Sequence, residues 1–319
     1  MKTSPPCLTV FTTTYNRAHT LHRVYDSLCQ QPGVDFEWLV VDAESKDGTE
    51  ALVHSWATQA PFPIRFVSMP NRGKHGAINL AATITESPYF IVLDSDDSCV
   101  PGALARVLEA WHQLPAGQES QYGVITFLCR TEAGCVVGTH FPSSTFDSTY
   151  HEMVIVHGMR GDKWECYRTA VVRQFPFPEV LGEAGLPENI LLGRIGTRYK
   201  TRYVNEALRV YHDDGPDSSV VRTVNPRRNS GGRVMAQRDN LTVPRFLFWA
   251  NPRAFFVFGV KHARMCSLAR VGLGEALAAL PWRLSRFIAL VTWPLGRLVA
   301  AAELTARWNA SGSLARRAR

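Results

Sequence analysis

The chain has 319 residues, 45% of them hydrophobic and 20% charged, which excludes a small binding module and a disordered chain. Its formal charge of +7 is unevenly placed: residues 1–219 carry 18 Lys and Arg against 25 Asp and Glu, and residues 220–319 carry 17 against 3. An acidic body of net −7 therefore precedes a basic tail of net +14, and such a tail suits an anionic surface.

From residue 8 onward, short β-rich runs alternate with stretches of helical length, the pattern of an α/β fold with a mixed, mainly parallel sheet flanked by helices. Leu8 to Thr13 predicts the first strand; Leu21, Val24, Tyr25 and Leu28 recur at helical spacing, and Phe36 to Asp42 predicts the second strand. A helix is expected over Thr49 to Ala60, a strand over Ile64 to Met69 and a helix over His75 to Thr85. Tyr89 to Asp94 is apolar enough to be a strand buried on both faces, and Pro101 suits the first turn of the following helix. Further on, the pattern predicts strands over Gly123 to Arg130 and Val136 to His140, a helix over Glu188 to Arg198 and a strand over Tyr199 to Val204. Residues 213–233, rich in Gly, Ser, Pro, Asp and Arg, read as a loop or linker.

In the tail, Phe246 to Val260 and Pro281 to Ala302 are apolar but interrupted by Pro252, Arg253, Arg283, Arg286, Pro294 and Arg297. Neither offers about 20 clean apolar residues. Trp282, Phe287 and Trp293 beside arginines have the composition of a helix lying on a membrane surface. The alternative is packing on the body or on a second copy, as a homo-oligomer. Long apolar runs between the arginines favour lipid over nucleic acid, and no nucleic-acid partner is expected. The seven scattered cysteines form no zinc-like spacing, and Met1 to Pro6 lacks a secretory apolar run; both predict a cytoplasmic catalytic part.

The strongest chemical signal is Asp94-Ser95-Asp96-Asp97 at the end of a buried strand, because ligands of open α/β sheets bind outside the carboxyl ends of strands. Clustered carboxylates repel one another unless a cation joins them, and Mg²⁺ or Mn²⁺ shared with substrate phosphates would do so. An EF-hand loop from Asp94 fails, having Cys99 and Ala105 where Gly and Glu belong. A phosphatase-like reading would make Asp94 a nucleophile. Thr12 to Arg17 and Asp42 to Thr49 follow the first two strands, and Asn71-Arg72-Gly73-Lys74 brings cations to a helix N-terminus, a setting suited to phosphate. Asp47-Gly48 with Thr49 reads equally as a turn and helix cap.

Thr12-Thr13-Thr14-Tyr15-Asn16-Arg17, Val41-Asp42 through Asp47-Gly48-Thr49, Asn71-Arg72-Gly73 with Ala77 and Asn79, and Asp94-Ser95-Asp96-Asp97 together resemble family 2 nucleotide-sugar glycosyltransferases of the Rossmann-like GT-A fold. The resemblance spans about residues 7–220 and implies inverting transfer from a nucleotide diphosphate sugar, usually a uridine nucleotide, to an acceptor hydroxyl in cell-envelope polysaccharide synthesis. It implies a GT-A domain over residues 1–220, with a donor half to about 120 and an acceptor half beyond it. A linker over 221–239 and a helical, membrane-associating region over 240–319 on the inner face of the membrane complete the expected organisation.

Carried onto this sequence, the resemblance makes Thr13, Tyr15, Arg17, Asp42, Asp47, Arg72, Lys74, Asp94 and Ser95 donor-binding residues. Asp94, Asp96, Asp97 and His212 become candidate ligands for Mn²⁺ or Mg²⁺. The usual catalytic Glu-Asp pair is absent in that form. Glu188 is the expected general base, with Asp162 the second candidate, while Trp164 and Glu165 would meet the acceptor, a glycan or lipid-linked sugar.

Overall fold

Four short runs of β-branched and aromatic residues set the first half of the sheet: β1 Leu8–Thr14, β2 Phe36–Asp42, β3 Ile64–Ser68 and β4 Tyr89–Val92. All four run parallel, in the order β3-β2-β1-β4, joined by α1 Ala18–Leu28, α2 Thr49–Ala57 and α3 Gly73–Ile84. Because the four strands are parallel, their carboxyl ends all lie on one side. This computed structural model describes residues 4–178, 185–212 and 230–317, with side chains as far as Thr305.

Beyond β4 come β5 Ser98–Cys99, α4 Ala103–His112, β6 Tyr122–Thr131, β7 Thr145–Ser148, α5 Tyr150–Ile155, β8 Lys163–Arg168, α6 Thr169–Val172, α7 Asn189–Ile195 and β9 Lys200–Tyr211. Among the described residues they complete a nine-stranded sheet, β3-β2-β1-β4-β8-β6-β9-β5, with β7 paired to β9. β8 is antiparallel to both β4 and β6, and β9 is parallel to β6, so β9 ends on the same side as β4. The main core lies under this sheet, where Trp38, Ile91, Leu104, Trp111, Ile125 and Trp164 are among the buried members.

Several expectations are corrected. Val136 to His140 is no strand; Val136 makes one isolated bridge to Arg130, and the ladder partner is the polar run Thr145–Ser148, where Asp147 binds Arg202 through two hydrogen bonds of 2.8 Å. β8 carries the Asp162–Glu165 neighbourhood and went unread as a strand because Lys163 and Glu165 interrupt its apolar pattern. Pro101 lies two residues ahead of α4, since Gly102, with φ 73°, makes the turn into it. Helix Ser230–Leu241 begins within the segment expected to be a linker.

The chain forms two compact units, Met1–Glu179 with Leu191–Thr223, and Val180–Ile190 with Val224–Arg319. In the second, Asn251 caps helix Pro252–Ala269 by accepting the Ala254 N–H at 3.2 Å, with Pro252 at its first turn. Pro294 does not interrupt the last helix, which runs continuously from Arg283 to Arg317. Its Arg283–Thr305 part has a mean hydropathy of 1.5 and is long and apolar enough, by length and composition, to cross a membrane. The two helices pack closely because Gly259 and Gly296 lack side chains: a Cβ at Gly296 would sit 2.4 Å from the Ala263 Cβ.

His262, on helix Pro252–Ala269, is buried beside Cys266, with Sγ 3.7 Å from its Nε2. Burial, which outweighs the bond that the ring donates to the Val234 backbone carbonyl and is reinforced by Arg238, pushes its pKa down to about 4 from 6.5. The folded state then binds fewer protons than the unfolded one between those values, so its contribution is intact at neutral pH and lost as pH falls through that window. Lowering the pH from 7 to 5 is expected to cost about 2 kcal/mol from this group. Urea unfolding at both pH values, on wild type and His262→Gln, checks it; an equal acid loss in the two proteins would remove His262 as the cause.

Candidate active site

The carboxylate turn follows directly from β4. Leu93 N–H donates to the Phe11 carbonyl at 2.8 Å, continuing the β1 ladder one residue further, and Asp97 N–H closes the turn on the Asp94 carbonyl at 3.1 Å. Thr20 of α1 donates its hydroxyl to the Ser95 carbonyl at 3.0 Å, and Arg23 Nη1 donates to the Asp96 carbonyl at 3.2 Å. The turn is thus fixed by main-chain bonds, leaving its three carboxylates for other work.

Those carboxylates stand in different electrostatic settings. Asp94 receives Lys74 Nζ on Oδ1 and Arg209 Nη2 on Oδ2, the latter at 2.5 Å. Burial alone would raise its pKa, but Lys74 and Arg209 outweigh this and hold the carboxyl well below the usual range. Asp97 is buried, accepts Arg209 Nε at 2.6 Å and the His212 N–H at 3.3 Å, and also pairs with Arg209 Nη2. Its pKa is pushed up to about 6 by burial, with the Asp94 and Asp96 charges adding to the rise and Arg209 opposing it. Asp96 has Arg17 Nη1 at 3.8 Å, beyond hydrogen-bond distance, and its pKa is raised by burial and then by the Asp94 charge. An under-compensated carboxylate of this kind favours a cation.

Among the described residues, no three His, Cys, Asp or Glu side chains converge as a ready-made metal cage. A hard cation held through one or two carboxylates plus substrate phosphates needs no such cage. Asp96 fits that role best, because Asp94 and Asp97 are already neutralised by Lys74 and Arg209. His212 has both ring nitrogens engaged, Nε2 with Ser98 Oγ at 2.9 Å and Nδ1 with Glu132 Oε1 at 2.6 Å, so a metal there would have to displace one of them.

The other predicted donor residues divide into two groups. Arg17 and Lys74 reach the carboxylate cluster, and Ser95 forms its turn. Asp42, at the end of β2, accepts the Ser45 N–H at 2.8 Å and the Ser45 hydroxyl at 2.5 Å; Ser45 Oγ in turn accepts the Asn16 N–H at 2.8 Å. The loops after β1 and β2 are therefore cross-linked. Asp47 does the same work, accepting Ala18 N–H at 2.9 Å and the Thr49 hydroxyl at 2.5 Å, so its carboxylate caps the starts of α1 and α2 although the residue is exposed. Thr13 is half-buried, Tyr15 is 52% exposed beside the αL residue Asn16, and Arg72 is exposed just before α3.

Trp164 is not available to stack on a sugar. It is fully buried in the main core and donates Nε1–H to the Val92 carbonyl at 2.7 Å, because alternation along β8 turns residues 164 and 166 into that core. Glu165, half-buried, points to the other face, and Asp162 is exposed just ahead of β8. Both act on the buried Cys129 thiol together with Asp97 and Arg209, which places all four in one electrostatic neighbourhood. Glu188 lies just ahead of α7, half-buried, in the segment that groups with the second unit. Asp213, Asp214, Asp217 and Ser218, which follow His212 in sequence, fall outside the described residues.

Sequence reasoning missed Arg209. The late strand was expected to stop at Val204, whereas β9 continues to Tyr211, and the signal lay in a lone arginine within the strand-like run Ala207-Leu208-Arg209-Val210. A cation inside an apolar strand requires a buried anion opposite it.

A nine-stranded α/β sheet with a carboxylate turn after its fourth strand defines the class, and comparison with known proteins supplies the family. Residues 9–121 match the model for "Glycosyl transferase family 2", and the chain carries a domain of that family. Succinoglycan biosynthesis protein ExoO of Rhizobium meliloti is 38% identical over 106 residues, 33% of this chain and 29% of that protein. Teichoic acid poly(glycerol phosphate) polymerase of Staphylococcus epidermidis is 30% identical over 106 residues, 33% of this chain and 15% of that protein. The matches thus span less than a third of these relatives' lengths. The S. aureus TarS structure in complex with UDP-GlcNAc superposes with a TM-score of 0.64 at 15% identity, covering 93% of this chain and 92% of that one. Mannosyltransferase PcManGT from Pyrobaculum calidifontis, in complex with GDP-Man and Mn²⁺, gives 0.56 at 19% identity over 94% and 87%. At such identities the likeness establishes the fold, which is GT-A.

Proposed function

We propose that the protein is an inverting glycosyltransferase that moves a sugar from a nucleotide diphosphate donor, a UDP-sugar, to a hydroxyl of a glycan or lipid-linked acceptor of the cell envelope. It works on the inner face of the membrane, which the basic tail meets. The observation that carries this reading is the Asp94–Asp97 turn gathered with Arg17, Lys74 and Arg209 at the carboxyl ends of β1, β3, β4 and β9, the turn, Arg17 and Lys74 falling within the family 2 match. The relatives' roles in succinoglycan and teichoic acid synthesis, and the UDP-GlcNAc complex of TarS, support the envelope and donor assignments.

In this reading the acceptor oxygen attacks the anomeric carbon from the face opposite the diphosphate, forming one C–O bond as the bond to the diphosphate oxygen breaks. Glu188 takes the hydroxyl proton. The electron pair leaves on the diphosphate, whose charge Lys74 and Arg72 offset from the start of α3. Mn²⁺ or Mg²⁺, held by Asp96 with Asp94, Asp97 and His212 around it, would supply Lewis-acid neutralisation of that leaving group. Asp42 and Tyr15 line the nucleoside side. One observation favours Asp162 as base instead, namely its neighbourhood with Asp97 and Arg209 around Cys129. Glu188→Gln and Asp162→Asn, compared for kcat at saturating donor, separate the two, since only loss of the base lowers kcat with donor affinity kept.

The reading with Asp94 as a phosphoryl-accepting nucleophile is disfavoured, because both of its oxygens are tied to cations. A thermal-shift series with UDP-, GDP-, CDP- and dTDP-sugars, with and without Mn²⁺, tests the proposal directly. A metal-dependent rise in Tm with one UDP-sugar is expected. No shift with any donor would favour the competing reading of a non-catalytic membrane-binding protein with a degenerate transferase domain.

A further inference from the structure

On helix Arg283–Arg317, Ser285, Ile288, Ala289, Thr292, Trp293 and Gly296 are buried, at the spacing of one helical stripe. The opposite stripe would be polar on a water-facing helix. Here it is Phe287, Leu290, Val291, Leu295 and Leu298, exposed by 50 to 67% and again at i, i+3, i+4, i+8 and i+11 spacing. No acidic residue lies between Glu275 and Glu303, whereas Arg283, Arg286 and Arg297 are all exposed there.

We propose that this helix lies flat on an anionic phospholipid surface, inserts the Phe287–Leu298 face among the acyl chains, and sets its arginines at the headgroups. This rests on the membrane reading above and names the face and orientation. Charge decides the occupant: a second copy would bring another basic tail of net +14 against this one, whereas anionic headgroups complement it. Packing decides the orientation. Gly259 lies against Ile288 and Thr292, and Gly296 against Ala263, so helix Pro252–Ala269 runs beside the middle of the apolar stretch. A transmembrane placement would carry exposed Lys261 and half-buried Arg264 to the bilayer centre, where charged groups are costly. An in-plane placement leaves both at the wet side, with Arg264 bonded to Glu303 at 2.9 Å.

The test uses the full chain and vesicles of phosphatidylcholine with or without phosphatidylglycerol. Wild type is expected to co-sediment with the anionic vesicles, less at high salt, and to be released by alkaline carbonate. Leu290→Glu with Leu298→Glu, both on exposed positions, is expected to weaken binding at least about tenfold with an unchanged melting curve. Arg283→Gln with Arg297→Gln should flatten the salt dependence, and it keeps the test alive if the glutamate variant misfolds. A folded glutamate variant that binds as wild type does would overturn this face while leaving the membrane reading intact. Wild type that ignores both vesicles would overturn both. Retention after carbonate would overturn the in-plane orientation in favour of a spanning helix, and a dimer broken by the glutamate pair would replace lipid with a second copy.

Discussion

Asp96→Asn is expected to lower glycosyl transfer by at least about 10³-fold, equivalent to about 4 kcal/mol of transition-state stabilisation, while leaving the protein as stable as wild type or slightly more so. The two halves of this expectation come from one observation. Burial and the Asp94 charge both raise the proton affinity of Asp96, and Arg17, which opposes them, stands 3.8 Å away. Its negative charge is therefore a cost to the folded chain that something outside the chain must repay, and removing that charge removes the cost. A residue retained for folding would behave oppositely. Activity at saturating donor and a thermal melt of the same preparations check both halves, with the Mn²⁺-dependent Tm shift by UDP-sugar as a third readout. Activity within tenfold of wild type would remove Asp96 from the metal site.

The parallel half of this fold is legible in the sequence because each strand there is a short run dominated by β-branched and other apolar residues and each helix repeats its apolar positions. β2 Phe36–Asp42 matches its expected bounds, and β1 and β3 differ from theirs by a single residue. The acceptor side resists such reading because its strands sit beside polar partners. Thr145–Ser148 pairs with β9 and carries Asp147 onto Arg202 in a part-buried contact, and β8 hides Lys163, whose Nζ donates to the carbonyls of Val137 and Arg160 at 3.1 and 2.8 Å. Polar residues satisfied only by distant segments look like loop residues until those segments are known. The same limit explains the site. Asp94 to Asp97 announce themselves as a cluster, but Trp164 looked like a sugar platform because periodicity in a short, unrecognised strand could not say which face it occupied. Arg209 is 112 residues from Asp97 in sequence, and no local pattern joins them.

Arg209→Leu is expected to destabilise the first unit by about 3–5 kcal/mol, because it leaves the buried Asp97 and the half-buried Asp94 without their shared cation. Lys74 would still partner Asp94, so most of the damage falls on Asp97, which is 1% exposed and has Arg209 as its cationic partner. Asp97→Asn should therefore recover much of the loss when combined with Arg209→Leu, although by itself it removes a partner from a buried guanidinium and is destabilising too. The non-additivity of this double-mutant cycle separates a paired charge from mere packing, which would give additive losses. Urea unfolding of the four proteins measures it, and an Arg209→Leu loss below about 1 kcal/mol would overturn the account. The consequence for function follows from geometry: Arg209 anchors the two carboxylates on either side of Asp96 to the end of β9, so Asp96, the proposed metal ligand, sits in a turn braced by the charge network across the sheet and not by the loop alone. Double variants that regain stability through Asp97→Asn should regain little transfer activity, since the folded state returns without the brace on Asp94.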